Sequence, residues 1–168
     1  MLTLLTTKAA RGLFTTASVE SGGGWEAPTT LAAAQAAGIA FATSLGLPPD
    51  AGAEQLRALP AYKIVAAGGH WGPTVDGRLI TEGYTQAFAR GDEARVPLII
   101  GSNDFEASLL PPAAYAAYLA KFSDKTKAAY AYADGARGEA ALARALFTDS
   151  FGGGPARWIA RKASATAP

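Results

Sequence analysis

Two acidic side chains, Asp104 and Glu106, follow a short apolar run in this chain. The run, Val96 to Ile100, has the composition of a fully buried strand, and the turn residues Gly101 to Asn103 end it. Ligands and catalytic groups collect at the carboxyl ends of strands in α/β sheets, because the sheet holds the loops there rigidly. A carboxylate in such a loop can orient a catalytic base and stabilise the cation that the base becomes. The sequence therefore predicts chemistry first at this loop.

The elements that would position the loop alternate between short strands and helices, which indicates an α/β fold. Besides the Val96–Ile100 run, the segment Ala17–Glu20 is predicted to be a strand. One helix is expected to begin at a Thr30 cap and to end near Leu45, where Gly46 follows. The other predicted helices are Ala53–Leu59, Ala61–Ala67, Pro112–Phe122, Lys125–Tyr132 and Gly138–Phe147.

Composition argues against several classes of function. The 168 residues carry 15 basic and 14 acidic side chains without a basic stripe, so we expect neither a nucleic acid nor an anionic membrane as a partner. No cysteine and a single histidine leave no zinc-type ligand cluster, and no phosphate-binding glycine motif is present, so we expect no metal and no cofactor. No apolar run reaches the roughly 18 residues of a membrane span.

Three blocks of the sequence occur in a specific order and spacing. The first is Arg11-Gly12-Leu13-Phe14 with Ser21-Gly22, the second is Pro73, Asp76-Gly77, Phe88, Gly91, Val96-Pro97 and Gly101 through Glu106, and the third is Asp149 to Trp158. These blocks resemble the type B carboxylesterase family, which includes cholinesterases and bacterial para-nitrobenzyl-type esterases. The resemblance implies part of an α/β-hydrolase domain over residues 1–168, with a mostly parallel sheet and flanking helices. It also implies hydrolysis of a small carboxylic ester through a Ser-His-Glu acyl-enzyme mechanism.

The resemblance makes Glu106 the acid of the catalytic triad. The alternative for Glu106 is a solvated turn charge, and Asp104 competes for the role because the family commonly has Asp where Phe105 stands. Glu106 is preferred because its distance from Gly101 matches the family pattern and Ala107-Ser108 follows it as a small-residue pair.

Two further positions are matched to the site. Ser21 corresponds to a serine that hydrogen-bonds near the triad acid and histidine, although a serine in a glycine-rich turn can equally satisfy backbone groups. Val19 stands where a G-x-S-x-G elbow needs glycine, so Ser21 is not expected to be the nucleophile. Trp25 corresponds to residues near the acyl side of the pocket, with a core or lid-packing tryptophan as the alternative. His70 precedes Glu106, against the chain order Ser, acid, His, so we expect a loop imidazole.

The resemblance also implies that parts of the triad are missing from this sequence. No G-x-S-x-G elbow is present, the family's nucleophile would lie shortly before the position of Met1, and its histidine would follow the Asp149 block. We therefore expect an internal fragment that carries the acid and is inactive in isolation. The alternatives are a non-catalytic cholinesterase-like binding or adhesion protein and an inactive truncated remnant. Compartment, oligomeric state and ester specificity stay open.

Overall fold

Short strands and helices alternate along the chain in the computed structural model, which describes residues 1–21, 25, 28–69, 71–133 and 138–166. The strands are β1 (Ala17–Glu20), β2 (Thr29–Thr30), β3 (Thr74–Val75) and β4 (Leu98–Gly101). The α-helices are α1 (Leu2–Thr6), α2 (Leu31–Ser44), α3 (Ala53–Arg57), α4 (Ala61–Ala67), α5 (Tyr84–Arg90), α6 (Tyr115–Leu119), α7 (Asp124–Ala133), α8 (Glu139–Thr148) and α9 (Gly154–Thr166). Tighter 3-10 turns cover Lys8–Ala10, Glu106–Leu109 and Pro112–Ala114, and a π-helical turn covers Asp149–Gly153.

The chain divides into two compact units. The larger unit combines Met1–Glu26 with Tyr84–Pro168, and the smaller unit is Ala27–Gly83. None of the helices in the described ranges combines the length and the apolar character that crossing a membrane requires.

A parallel pair of strands is the centre of the larger unit. Strand β1 pairs with β4 so that Ala17 lies opposite Leu98 and Glu20 lies opposite Gly101. The pairing begins one residue before β4, where the Pro97 carbonyl accepts a hydrogen bond from the Ala17 N–H at 3.0 Å. Because parallel strands end at the same edge, the residues that follow β1 and β4 leave the sheet side by side.

The expectation of a fully buried strand at Val96–Ile100 was wrong in one respect. The strand forms, as Leu98–Gly101, but its side chains alternate between partly buried and exposed, and Ile99 is 75% exposed. In β1 the side chains of Ala17 and Val19 are buried and the two that alternate with them are exposed. The physical reason is that helices of this unit cover one face of the β1–β4 pair, so alternate side chains point away from the core.

The core of the larger unit consists of two apolar clusters. The first packs α1, α5 and α9 on the covered face of the sheet and contains Leu2, Leu5, Ala17, Val19, Phe88 and Ile159. The second joins α6 to α8 and contains Tyr115, Leu119, Ala143 and Leu146. Each fully buried Leu, Ile or Phe side chain contributes about 1.5–3 kcal/mol to stability. The loop that follows β4 therefore runs from Ile100, which packs on the first cluster, to Leu110, which packs on the second.

The helices after β4 agree with the predicted ones in position but not in every boundary. The predicted Pro112–Phe122 helix is a 3-10 turn followed by the shorter α6. Helix α7 includes Asp124, where a break was predicted, because the Ser123 hydroxyl accepts the Thr126 N–H at 3.2 Å and so caps the helix one residue earlier. Residues 134–137, in the gap between the predicted helices Lys125–Tyr132 and Gly138–Phe147, lie outside the described residues.

In the smaller unit, the helix start and helix end signals of the sequence act where they were predicted to act. The Thr30 hydroxyl accepts the Ala33 N–H at 3.2 Å and caps α2, and Gly46 adopts a left-handed φ of +83° just after the helix ends. Pro60 separates α3 from α4, as expected. Strands β2 and β3 pair in parallel. The smaller unit is thus built largely from locally encoded elements.

Candidate functional site

The side chain of Glu106 points into the protein at the carboxyl end of β4. It is 4% exposed and begins the 3-10 turn that follows the loop Ser102–Phe105. Its Oε1 atom accepts a hydrogen bond from the backbone N–H of Asn103 at 2.9 Å. A buried carboxylate is costly unless donors satisfy it, so this hydrogen bond fixes the orientation of the group. Glu106 is therefore not a solvated turn charge.

Ser21 lies beside this loop because β1 and β4 end together. The Asn103 side-chain amide donates to the Ser21 hydroxyl at 3.5 Å, across 82 positions of sequence. Ser21 has a φ of +52°, in the left-handed region that costs an L-residue about 1–2 kcal/mol. Asn103 thus connects Ser21 to Glu106, because its side chain contacts Ser21 and its backbone N–H contacts Glu106. The sequence offered no signal for this role of Asn103 beyond its place in a turn.

The two residues that precede Glu106, the competing carboxylate Asp104 and the ring of Phe105, lie outside the core. Asp104 is exposed. The Phe105 ring is also exposed and lies 5.3 Å from the Arg144 guanidinium carbon, a cation–π contact between the loop and α8. Burial therefore distinguishes Glu106 from Asp104 as the candidate acid more clearly than the spacing in the sequence did.

An open cleft of about 800 Å³ lies along the same loop. The loop residues Ser102–Phe105 form one wall, and Tyr130, Arg144, Asp149 and Arg157 contribute polar groups to the opposite wall. Glu106 and Ser21 do not line this cleft. The side chains matched to the triad and this cleft therefore share a loop, but Glu106 and Ser21 are not part of the cleft wall.

Three of the residues that line the cleft, Tyr130, Asp149 and Arg157, form a hydrogen-bonded trio. The two carboxylate oxygens of Asp149 accept one hydrogen bond each, from the Tyr130 hydroxyl and from the Arg157 guanidinium. Burial, together with the hydrogen bond to Asp149, raises the pKa of Tyr130 to about 12. Tyr130 consequently stays a neutral phenol well above physiological pH. The sequence analysis did not identify this contact; Asp149 and Arg157 in the third block were the available signal.

The remaining candidates are placed as follows. Trp25 is 51% exposed and contacts Trp158 edge to face, with ring centroids 5.5 Å apart, and it does not line the cleft. The acyl-side and packing interpretations of Trp25 both remain predictions. His70 lies outside the described residues. Among the residues that the structure describes, no group of three or more His, Asp or Glu side chains is arranged to hold a metal ion.

Comparisons with known proteins identify the fold. No protein-family model and no curated protein matches the sequence. Among solved structures, the carboxylesterase EST55 of Geobacillus stearothermophilus at pH 6.2 matches 98% of this chain and 39% of its own, with a TM-score of 0.74 and 22% identity. A structure of PNB esterase matches 99% of this chain and 38% of its own, with a TM-score of 0.68 and 23% identity.

These matches confirm the predicted fold class. The chain has part of an α/β-hydrolase fold and spans less than two fifths of the length of EST55. At this level of identity the likeness concerns the fold, and the chemistry has to be argued from the site.

Proposed function

We propose that this chain is part of a serine carboxylesterase of the type B family and supplies Glu106 as the acid of a Ser-His-Glu triad. The observation that carries the proposal is the buried, hydrogen-bonded carboxylate of Glu106 at the carboxyl end of a parallel strand. The ordered sequence blocks and the fold shared with EST55 support it.

The role of Glu106 follows from its geometry. With Oε1 held by the Asn103 N–H, the second carboxylate oxygen would accept the N–H of the catalytic imidazole. That hydrogen bond would hold the imidazole in the tautomer that takes the proton of the attacking serine, and the negative charge would stabilise the imidazolium that results. The acid would not itself be protonated during the reaction.

The other groups of the mechanism would come from polypeptide outside these 168 residues. The nucleophile, the histidine and the backbone N–H groups of the oxyanion hole are assigned there, because the chain matches only 39% of the length of EST55. Within the chain, Ser21 would hydrogen-bond near the acid and the imidazole through the contact with Asn103, and Trp25 would lie near the acyl group of a small carboxylic ester. No cofactor enters this mechanism.

The decisive experiment begins with the gene around these codons. An in-frame G-x-S-x-G elbow upstream and a histidine downstream are expected, and the protein they encode should hydrolyse para-nitrophenyl acetate. Glu106→Gln should lower kcat by roughly 10⁴-fold, the loss known for a triad acid converted to its amide. Asp104→Asn, the matched control in the same loop, should retain activity close to that of the unmodified protein.

Three results would contradict the proposal. Loss of activity in Asp104→Asn with activity retained in Glu106→Gln would move the acid role to Asp104. Replacement of the flanking serine and histidine by other residues would indicate a binding protein with the same fold. Turnover by the isolated 168-residue chain that survives Glu106→Ala and is abolished by Ser21→Ala would make Ser21 the nucleophile.

A further inference from the structure

The backbone at Gly152 lies directly against the side chain of Glu106. Gly152 is buried in the π-helical turn Asp149–Gly153, between α8 and α9. A Cβ atom at this position would lie 2.7 Å from the Cβ of Ser102, 3.2 Å from its hydroxyl and 3.3 Å from the Cγ of Glu106. The first distance is shorter than real Cβ contacts, so any side chain at position 152 would have to displace the loop that carries Glu106.

The turn is held in this position by contacts on its other side. Asp149, which begins the turn, accepts hydrogen bonds from Tyr130 of α7 and Arg157 of α9. A Cβ at Gly153 would lie 3.1 Å from both Asp149 Oδ1 and Arg157 Nη1, and one at Gly154 would lie 2.8 Å from the Asp149 carbonyl oxygen. Moving the turn away from Glu106 would therefore disturb the hydrogen bonds that Asp149 accepts from Tyr130 and Arg157. Such π-helical turns within α-helices are frequent at functional sites.

We propose that Gly152 is a positioning residue for Glu106, an inference that rests on the proposed triad role of that carboxylate. Because Gly152 has no side chain, its backbone packs directly against Ser102 and the methylenes of Glu106. This contact keeps Oε1 of Glu106 within hydrogen-bonding distance of the Asn103 N–H. A displacement of about 1 Å at a catalytic group can lower kcat roughly 10²-fold. Gly152, the first of the three consecutive glycines in the third sequence block, thus has a specific positioning role.

The first test uses the 168-residue chain and needs no enzymatic activity. In Gly152→Ala the Asn103 amide should lose its acceptor and exchange its proton about tenfold faster, as expected for one net hydrogen bond. The matched control is Gly101→Ala, because a Cβ at Gly101 meets nothing within 4 Å. The Asn103 amide of that variant should exchange as in the unmodified chain. Unchanged exchange in a folded Gly152→Ala chain would overturn the inference.

A second variant tests whether the effect of Gly152→Ala on the Asn103 amide can be reversed. Because the shortest contact is with the Ser102 Cβ, the double variant Ser102→Gly/Gly152→Ala should restore slow exchange of the Asn103 amide to the level of Ser102→Gly alone. If Gly152→Ala by itself does not fold, recovery of the fold and of slow exchange in the double variant supports the inference. Failure of the double variant to recover either property overturns it.

The kinetic test uses the longer esterase of the proposed function. Gly152→Ala should lower kcat with KM unchanged, because ester binding is not altered, and the double variant should recover kcat. A perturbed Asn103 amide with unchanged kcat would overturn the positioning role. Absence of esterase activity in the unmodified longer protein would instead refute the proposed function, while the exchange experiment on the 168-residue chain would still decide whether Gly152 positions Glu106.

Discussion

Removing the Glu106 side chain should destabilise the folded chain, and the size of the effect can be worked out from its contacts. Glu106→Ala leaves the Asn103 N–H without an acceptor, at a cost of about 1–3 kcal/mol, and removes the burial of one methylene, worth about 0.8 kcal/mol. Relief of the desolvated charge offsets part of this cost. We expect a net loss of about 2 kcal/mol in the free energy of unfolding.

Glutamine separates the hydrogen bond from the charge. Glu106→Gln keeps an oxygen acceptor in the same shape but replaces a charge-assisted hydrogen bond by a neutral one of roughly half the strength, so the loss should be about 1 kcal/mol. The measurement is urea unfolding of the 168-residue chain followed by far-ultraviolet circular dichroism. Asp104→Ala, in the exposed neighbour, should change the free energy of unfolding by less than about 0.5 kcal/mol.

The outcome that would refute this reasoning is specific. If Glu106→Ala unfolds at the same urea concentration as the unmodified chain, the carboxylate is not the buried acceptor of the Asn103 N–H. If Asp104→Ala costs as much as Glu106→Ala, the two carboxylates do not differ in burial, and the choice of Glu106 as the acid loses its structural support.

Three further predictions concern the framework around the site. Phe88→Ala, in the core below the sheet, should lower the free energy of unfolding by about 3–5 kcal/mol, whereas Leu13→Ala at the exposed surface should change it by less than about 0.5 kcal/mol. Because the pKa of Tyr130 is raised from 10.0 to about 12, its contribution to stability is complete below pH 10 and is lost as the pH rises through 12. The difference in the free energy of unfolding between the unmodified chain and Tyr130→Phe, measured by urea unfolding, should therefore shrink over that range. A difference that grew with pH would contradict the assignment. Thr30→Ala removes the cap of α2 and should speed amide exchange in its first turn, at a cost of about 1 kcal/mol, while Thr29→Ala should leave that turn unchanged.

Much of the fold could be predicted because its signals are local. Helix α4 begins after Pro60 and α2 begins at its Thr30 cap, since proline and a capping hydroxyl act on the backbone within a few residues. The exposure of Ile99 could not be predicted in this way. A short apolar strand has the same sequence pattern whether helices cover one face of the sheet or both faces. Only the packing of helices on the β1–β4 pair determines how many faces are covered.

The sequence by itself determined the α/β alternation and placed an acidic loop at the end of a strand, because periodicity, turn residues and caps operate over short stretches of chain. Only the tertiary structure decided which carboxylate is buried, that Asn103 joins Ser21 to Glu106, and that Gly152 packs against the acid. The contact of Ser21 with Asn103 and that of Gly152 with Glu106 join residues far apart in the chain, so they depend on the parallel pairing of β1 with β4 and on the turn between α8 and α9. No local pattern encodes the distance between such segments, because it is set by the packing of the whole core.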